Sequence, residues 1–343
     1  MSSQKTGILL INLGTPKSPN EQDVRVYLKE FLMDPLVIDI PYIFRWVLIN
    51  LIILRNRPKN SALAYQKIWT TQGSPLLFNT LDLSQKVQNI LGAGFHVIVG
   101  MRYGQPSIQN ALKQFKSLGI EKIKALPLYP QYSLAASESC IQETKKQVLK
   151  YKIKDISFVP PFYSNDLFIE SFANNGRAQI LASKPDHILF SFHGIPERHV
   201  KKTDLTKSHC LKLENCCDQI TQANKNCYRA QCFATAKLLA DKLSLNPTQY
   251  TVCFQSRLGR TPWIKPYTDV AYGELVLKGK KRVLLFSPSF VADCLETLEE
   301  IVIRGRNDFR ALGGEELWLV PSLNSSDQWA KAVTQMLQPQ LIN

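Results

Sequence analysis

The stretch "HILFSFHGIP" (187–196) decides the fold class. Its centre, "ILFSF", is strand-length and apolar on both alternating faces, the pattern of a strand covered on two sides. Such strands belong to parallel sheets sandwiched between helices. The same signature recurs along the chain: "GILLINL" (7–13), "HVIVGMRY" (96–103), "IKALPLYP" (123–130), "ISFVPPF" (156–162), "YTVCFQS" (250–256), "RVLLFSPS" (282–289) and "LWLVPSL" (317–323). Helical patterns separate these runs, among them 107–119, 166–183 and 230–245. Alternation of this kind predicts an α/β protein with doubly wound, Rossmann-like parallel sheets.

The number of strands over 343 residues implies two such domains with an active-site cleft between them. We expect an N-terminal domain over 1–155, with a hydrophobic segment at 36–58. A C-terminal domain follows over 156–315, with a Cys-rich insertion at 210–232. The last strand and helix, 316–343, pack back on the first domain. Ligands in this architecture lie beyond the carboxyl ends of the strands. Those ends read "NLGTP" (12–16), "MRYGQP" (101–106), "PLYPQYS" (127–133), "SFHGIP" (191–196), "FQSRLGR" (254–260) and "SPSFVADC" (287–294). Glycine and proline end strands for backbone reasons alone, but six such ends on one predicted edge mark a mouth.

Lys and Arg outnumber Asp and Glu, 42 to 28, for a formal charge of +14. That balance favours an anionic partner. The basic residues are scattered, without zinc-finger spacing or an aromatic RNA-binding motif, so nucleic acid is not expected. The amino terminus lacks the pattern of a secretory signal. The longest apolar stretch, "YIFRWVLINLIIL" (42–54), is shorter than the roughly 20 residues a spanning helix needs. A cytoplasmic location, with cysteines reduced or metal-bound, is the expectation.

His193 stands at a strand end before a glycine, where a ligand can approach the backbone closely. It reads either as packing or as the base of an active site; His96 and His187, at strand starts, read as structural. After the strand at 282–289 comes "FVADCLETLEEI" (290–301), in which Asp293, Glu296 and Glu300 follow helical spacing on one face. These carboxylates serve either as helix-terminal charges or as a face for a cation or for moving protons.

"SFHGIP", "FQSRLGRTPWIKPYTD" (254–269), "DCLETLEEI" (293–301), "LPLYPQYS" (126–133) and "LINLGTP" (10–16) closely resemble the ferrochelatase family, in the family's order and over nearly the whole chain. The resemblance implies an enzyme inserting Fe2+, its substrate, into protoporphyrin IX. It also implies that His193 and Glu296 jointly accept pyrrole protons and hold the iron, with Asp293 and Glu300 as an acidic path toward solvent. Cys294 stands where some members have a histidine, and any role of that histidine does not carry over. Arg102, Tyr103, Tyr129, Tyr132 and Trp263 are the candidate porphyrin contacts, Arg102 for a propionate and the aromatics as walls.

Residues 36–58 resemble the family's hydrophobic lip. With Arg45, Arg55, Arg57 and Lys59 in or beside the run, they predict peripheral association with an anionic membrane. Cys210, Cys216, Cys217, Cys227 and Cys232 crowd the insertion at spacings that match no zinc ribbon and no common ferredoxin pattern. Some ferrochelatases carry a 2Fe–2S cluster. Here Cys210, Cys217, Cys227 and either Cys216 or Cys232 are its candidate ligands, with zinc or free thiols as the alternatives. Coproporphyrin III in place of protoporphyrin, and a non-catalytic porphyrin or haem carrier, are the competing functional readings. A carrier, however, needs no proton acceptor.

Overall fold

The computed structural model describes residues 5–259 and 261–338. Each predicted apolar run contains a strand: β1 (Thr6–Thr15), β2 (Phe95–Gly104), β3 (Lys122–Pro127), β4 (Asp155–Phe158), β5 (His187–His193), β6 (Tyr250–Gln255), β7 (Arg282–Phe286) and β8 (Glu316–Leu319). They form two four-stranded sheets, β2-β1-β3-β4 and β6-β5-β7-β8, paired in parallel throughout. The two orders are the same topology repeated, although no sequence repeat announces it.

The central strands are the most apolar. In β5 every residue is buried except His193 at its end. Helices cover both faces, and their ends follow local chemistry. Asn165 caps Asp166–Ser183 by accepting from the N–H groups of Leu167 and Phe168. Within that helix, a Cβ on Gly176 would stand 2.3 Å from the Phe286 ring, so glycine is what lets the helix lie close on β7. In the first sheet, Gly14 (φ +108°) carries β1 past β2; a Cβ there would meet the Tyr103 carbonyl oxygen at 1.7 Å. That explains the "NLGTP" end.

The chain divides into two compact units. The first comprises residues up to Tyr129, Leu134–Pro160 and the chain from Asn324; the second comprises Pro130–Ser133 and Pro161–Leu323. These limits differ from the expected ones in three places. The strand expected to open the second domain, β4, pairs with β3 and closes the first sheet, so the first unit runs on to Pro160. β8 pairs with β7 and stays in the second sheet, so only the final helix Asp327–Leu337 joins the first unit. There Asp327 pairs with Lys86 (2.6 Å), and Lys124 donates to the Leu337 carbonyl (2.6 Å). The short excursion at 130–133 belongs to the second unit, which no linear division of the sequence captures.

The hydrophobic segment is a helix over Tyr42–Val47, a π-helical turn over Leu48–Ile53 and a helix over Leu54–Ile68. Tyr42, Ile43, Phe44, Leu51 and Ile52 are each 59% exposed or more. Arg45 departs from the interfacial role expected of it. It is buried, and its Nη1 donates to the carbonyls of Ile38 and Ile40, tying the preceding loop to the helix. Arg55 and Lys59 are exposed. No helix among the described residues is long and apolar enough to cross a membrane.

Candidate functional site

In the order β6-β5-β7-β8 the chain winds one way from β5 to β6 and the other way to β7, so a topological switch point lies beside the carboxyl end of β5. His193 is the last residue of that strand. Its Nδ1 lies 2.6 Å from the Gly194 carbonyl oxygen. A carbonyl only accepts, so Nδ1 carries the proton, and Nε2 holds the lone pair of the neutral ring. The imidazole lies 6.4 Å from the Trp263 ring and 6.1 Å from that of Phe290.

Glu296 is joined to this strand end by a residue the sequence did not single out. Gln255, opposite His193 in register on β6, is buried and donates through Nε2 to the Glu296 carbonyl oxygen (3.0 Å). Its Oε1 accepts from Ser191 on β5 (2.9 Å) and from Ser287 just beyond β7 (3.4 Å). One amide therefore ties the ends of three strands to the start of the acidic segment. The only advance signal was its place in "FQS" at a strand end.

The acidic segment is not a regular α-helix. Leu295–Thr297 is a single α-helical turn, and Leu298–Gly305 is π-helical. The wider turn changes which positions share a face, and π-helical turns occur frequently at functional sites. Thr297 donates to Asp293 (3.0 Å), and Ser256 donates to Glu300 Oε2 (2.6 Å). Burial raises the Glu300 pKa above the usual carboxylate range. The Ser256 hydrogen bond and the nearby His193 oppose the rise, while the Glu296 charge reinforces it. His193, Glu296 and Glu300 thus share one electrostatic environment. Among the described residues, no group of three or more His, Cys, Asp or Glu side chains is arranged as a preformed metal site.

Of the predicted porphyrin contacts, Trp263 lies by His193. Tyr132 belongs to the same unit and is half-buried, its backbone N–H bonded to Gln231 (2.6 Å). Arg102, Tyr103 and Tyr129 belong to the first unit. There Asp34 accepts from Arg102 (2.5 Å), Tyr103 (2.8 Å) and Ser139 (2.5 Å). The Arg102 charge is thereby matched by Asp34. Tyr103 is fully buried and presents no ring face to solvent. Sequence could not foresee this pairing, because Asp34 and Arg102 meet only in the fold. Tyr129 is hydrogen-bonded to the buried Cys140 (3.8 Å).

The cysteine segment folds around Asp204. Against the upward pull of burial, N–H groups of Cys210, His209 and Thr206 hold its carboxyl well below the usual range. Cys216 and Cys217 bring their sulfurs to 3.7 Å. Cys227 hydrogen-bonds to both Cys210 and Cys217. Arg229 Nη1 lies 3.0 Å from the Cys217 sulfur. Cys232 hydrogen-bonds instead to the Tyr228 hydroxyl. Burial pushes the Cys210 thiol up to about 11. A cavity of about 360 Å3, lined in part by Leu211, Lys212, Cys216, Arg229 and Lys265, lies against this segment rather than at His193.

A model of the ferrochelatase family matches residues 5–341. A ferrochelatase of Coxiella burnetii (strain Dugway 5J108-111) is 46% identical over 340 residues, 99% of this chain and 95% of that one. Ferrochelatases of Legionella pneumophila (strain Corby) and Pseudomonas fluorescens (strain Pf0-1) are 45% and 44% identical. They cover 98% and 96% of this chain, and 100% and 97% of their own lengths are matched. Among solved structures, SirB from Bacillus subtilis with Fe3+ superposes with a TM-score of 0.54 at 11% identity, covering 97% of this chain and 96% of that one. DR2241 from Deinococcus radiodurans, a multi-domain protein with structural similarity to chelatases, gives 0.52 at 9% identity over 99% of this chain and 56% of that one. At such identities the structural likenesses speak for the fold alone.

Proposed function

The chain belongs to the ferrochelatase family, and on that footing we propose how its own residues carry out the reaction and on which ring. It is a metal chelatase, inserting ferrous iron into a porphyrin. The porphyrin we propose is protoporphyrin IX, and the product protohaem. The observation that supports this ring over one with more propionates is the exposed apolar face of Tyr42, Ile43, Phe44, Leu51 and Ile52. Such a face suits delivery and release of an oily macrocycle at a membrane.

The chemistry is an exchange: one Fe2+ enters the ring and two pyrrole protons leave, so charge balances. Bending the flat macrocycle toward the transition state exposes a nitrogen lone pair and lowers the barrier. His193 and Glu296 act jointly. The Nε2 lone pair of a neutral imidazole can accept a pyrrole proton or bind a metal. A carboxylate beside it neutralises the charge that develops. Glu300, with its raised affinity for protons, and Asp293 pass protons outward. Mixed imidazole and carboxylate donors hold ferrous iron loosely enough to release it, as thiolates would not.

We propose that a 2Fe–2S cluster would be held by Cys210, Cys216, Cys217 and Cys227, whose thiols are not preformed as a metal site and would have to close around it. Two thiolates on one tetrahedral metal with bonds of about 2.3 Å lie about 3.8 Å apart, and Cys216 and Cys217 already approach that spacing. Of the two candidates for a fourth ligand, Cys216 is favoured because Cys232 bonds to Tyr228. Bound there, such a cluster supplies a redox-active crosslink. The chelation itself moves no electrons. Protein purified anaerobically should absorb in the visible and contain iron and sulfide; a colourless, iron-free preparation contradicts the cluster.

The apolar face, with Arg55, Arg57 and Lys59 beside it, supports peripheral binding to an anionic membrane. The ring assignment is tested by anaerobic insertion of Fe2+ into protoporphyrin IX and coproporphyrin III under identical conditions. A higher kcat/KM for protoporphyrin is expected; a preference for coproporphyrin refutes the assignment.

A further inference from the structure

Strand β7 pairs with β5 only as far as Phe190 opposite Phe286. Beyond that point, the backbone groups of β5 that face β7 have lost their ladder. His193 is one of these residues, because the next residue, Gly194, points the other way and donates to the Gln255 carbonyl of β6 (2.8 Å). Two side chains replace the missing strand. The His193 N–H donates to Ser289 Oγ (3.1 Å), and the His193 carbonyl accepts from the Tyr228 hydroxyl (2.8 Å). Ser289 also hydrogen-bonds to the Tyr228 hydroxyl, which closes the ring of bonds around His193. Tyr228 is buried, and because a carbonyl only accepts, its hydroxyl is the donor in this bond. On the opposite side there is no slack, since a Cβ at Gly194 would stand 2.8 Å from the Gln255 carbonyl oxygen.

Tyr228 is also the first residue of the helix Tyr228–Lys242, and its predecessor at the helix cap is Cys227. Cys227 bonds to the thiols of Cys210 and Cys217. From this continuity we infer that Tyr228 is a positioning residue for His193, and that through it the state of the cysteine segment sets the placement of the imidazole. The inference rests on the proposed role of His193. It does not require that the thiols hold a particular metal. A shift of the helix start by a few tenths of an ångström at Cys227 moves the phenol, and the His193 carbonyl follows.

The test is a kinetic cycle on the full chain, with ferrous iron and protoporphyrin under anaerobic conditions. Tyr228→Phe, which removes one oxygen and keeps the ring, should lower kcat about tenfold, equivalent to about 1.4 kcal/mol, with KM for porphyrin unchanged. Cys217→Ser should lower kcat severalfold in the wild-type background but less than twofold in the Tyr228→Phe background. An unchanged kcat in Tyr228→Phe, no effect of Cys217→Ser on the wild type, or equal losses in both backgrounds overturns the inference. Where near-UV circular dichroism shows Tyr228→Phe misfolded, Tyr228→Leu, which likewise lacks the hydroxyl, takes its place with the same expectation. Arg229→Gln likewise replaces a misfolded Cys217→Ser. His193→Ala, run in parallel, separates the two claims: full activity there refutes the role of His193 itself, whereas an inactive His193→Ala beside an unaffected Tyr228→Phe refutes only the link.

Discussion

Replacing Ile43 and Phe44 by Asn should detach the protein from anionic vesicles. Ile43 is 72% and Phe44 68% exposed. Fully burying a large apolar side chain is worth about 1.5–3 kcal/mol, so at these exposures insertion into the headgroup boundary yields roughly 1–2 kcal/mol from each. The double variant therefore loses about 2–4 kcal/mol of partition free energy, a factor of roughly 30 to 1,000 in the partition coefficient. Folding should be little affected, since both side chains already face solvent. Vesicle flotation with phosphatidylserine-containing liposomes reads the partition directly. Raised salt should weaken wild-type binding by screening Arg55, Arg57 and Lys59, each worth about 1 kcal/mol near the surface. Leu277→Asn is the control. It removes an even more exposed apolar group (89%), but an isolated exposed leucine is ordinary and carries no binding expectation. Equal flotation of the double variant and the wild type at low and at high salt would refute the reasoning.

Two further outcomes follow from the buried polar groups. Burial, with Lys280 and Lys278 nearby, lowers the His187 pKa from 6.5 to about 4. The unfolded chain therefore binds more protons than the folded one in that window, and stability falls as pH drops from 6.5 toward 4. His187→Gln should flatten this part of the Tm-versus-pH curve; parallel curves would contradict it. Asp34→Ala strands the Arg102 guanidinium, and denaturant unfolding should show a loss of about 3–5 kcal/mol. A loss below about 1 kcal/mol would mean that Arg102 finds another partner.

Much of this was legible in the chain because β-sheet burial writes itself into composition. The central strands "GILLINL" and "HILFSFH", one in each sheet, carry no polar face to mislead a reader. What escaped was whatever depends on partners distant in sequence. Arg45 and Arg102 look like free cations until the Ile38 and Ile40 carbonyls and Asp34 consume their hydrogen bonds. Gln255 looks like any strand-end amide until its register opposite His193 is known. The π-helical widening at Leu298–Gly305 changes the face shared by the carboxylates, and α-helical spacing does not predict it. The excursion of Pro130–Ser133 into the second unit is topological and leaves no compositional mark.

The account turns on the imidazole at the end of β5. Single-turnover insertion of ferrous iron into protoporphyrin by His193→Ala, measured anaerobically against the wild type at saturating porphyrin, tests it most directly. Loss of the proton acceptor should slow the chemical step by about 10²–10⁴-fold while porphyrin still binds. A variant turning over within a few-fold of the wild type would contradict the central claim.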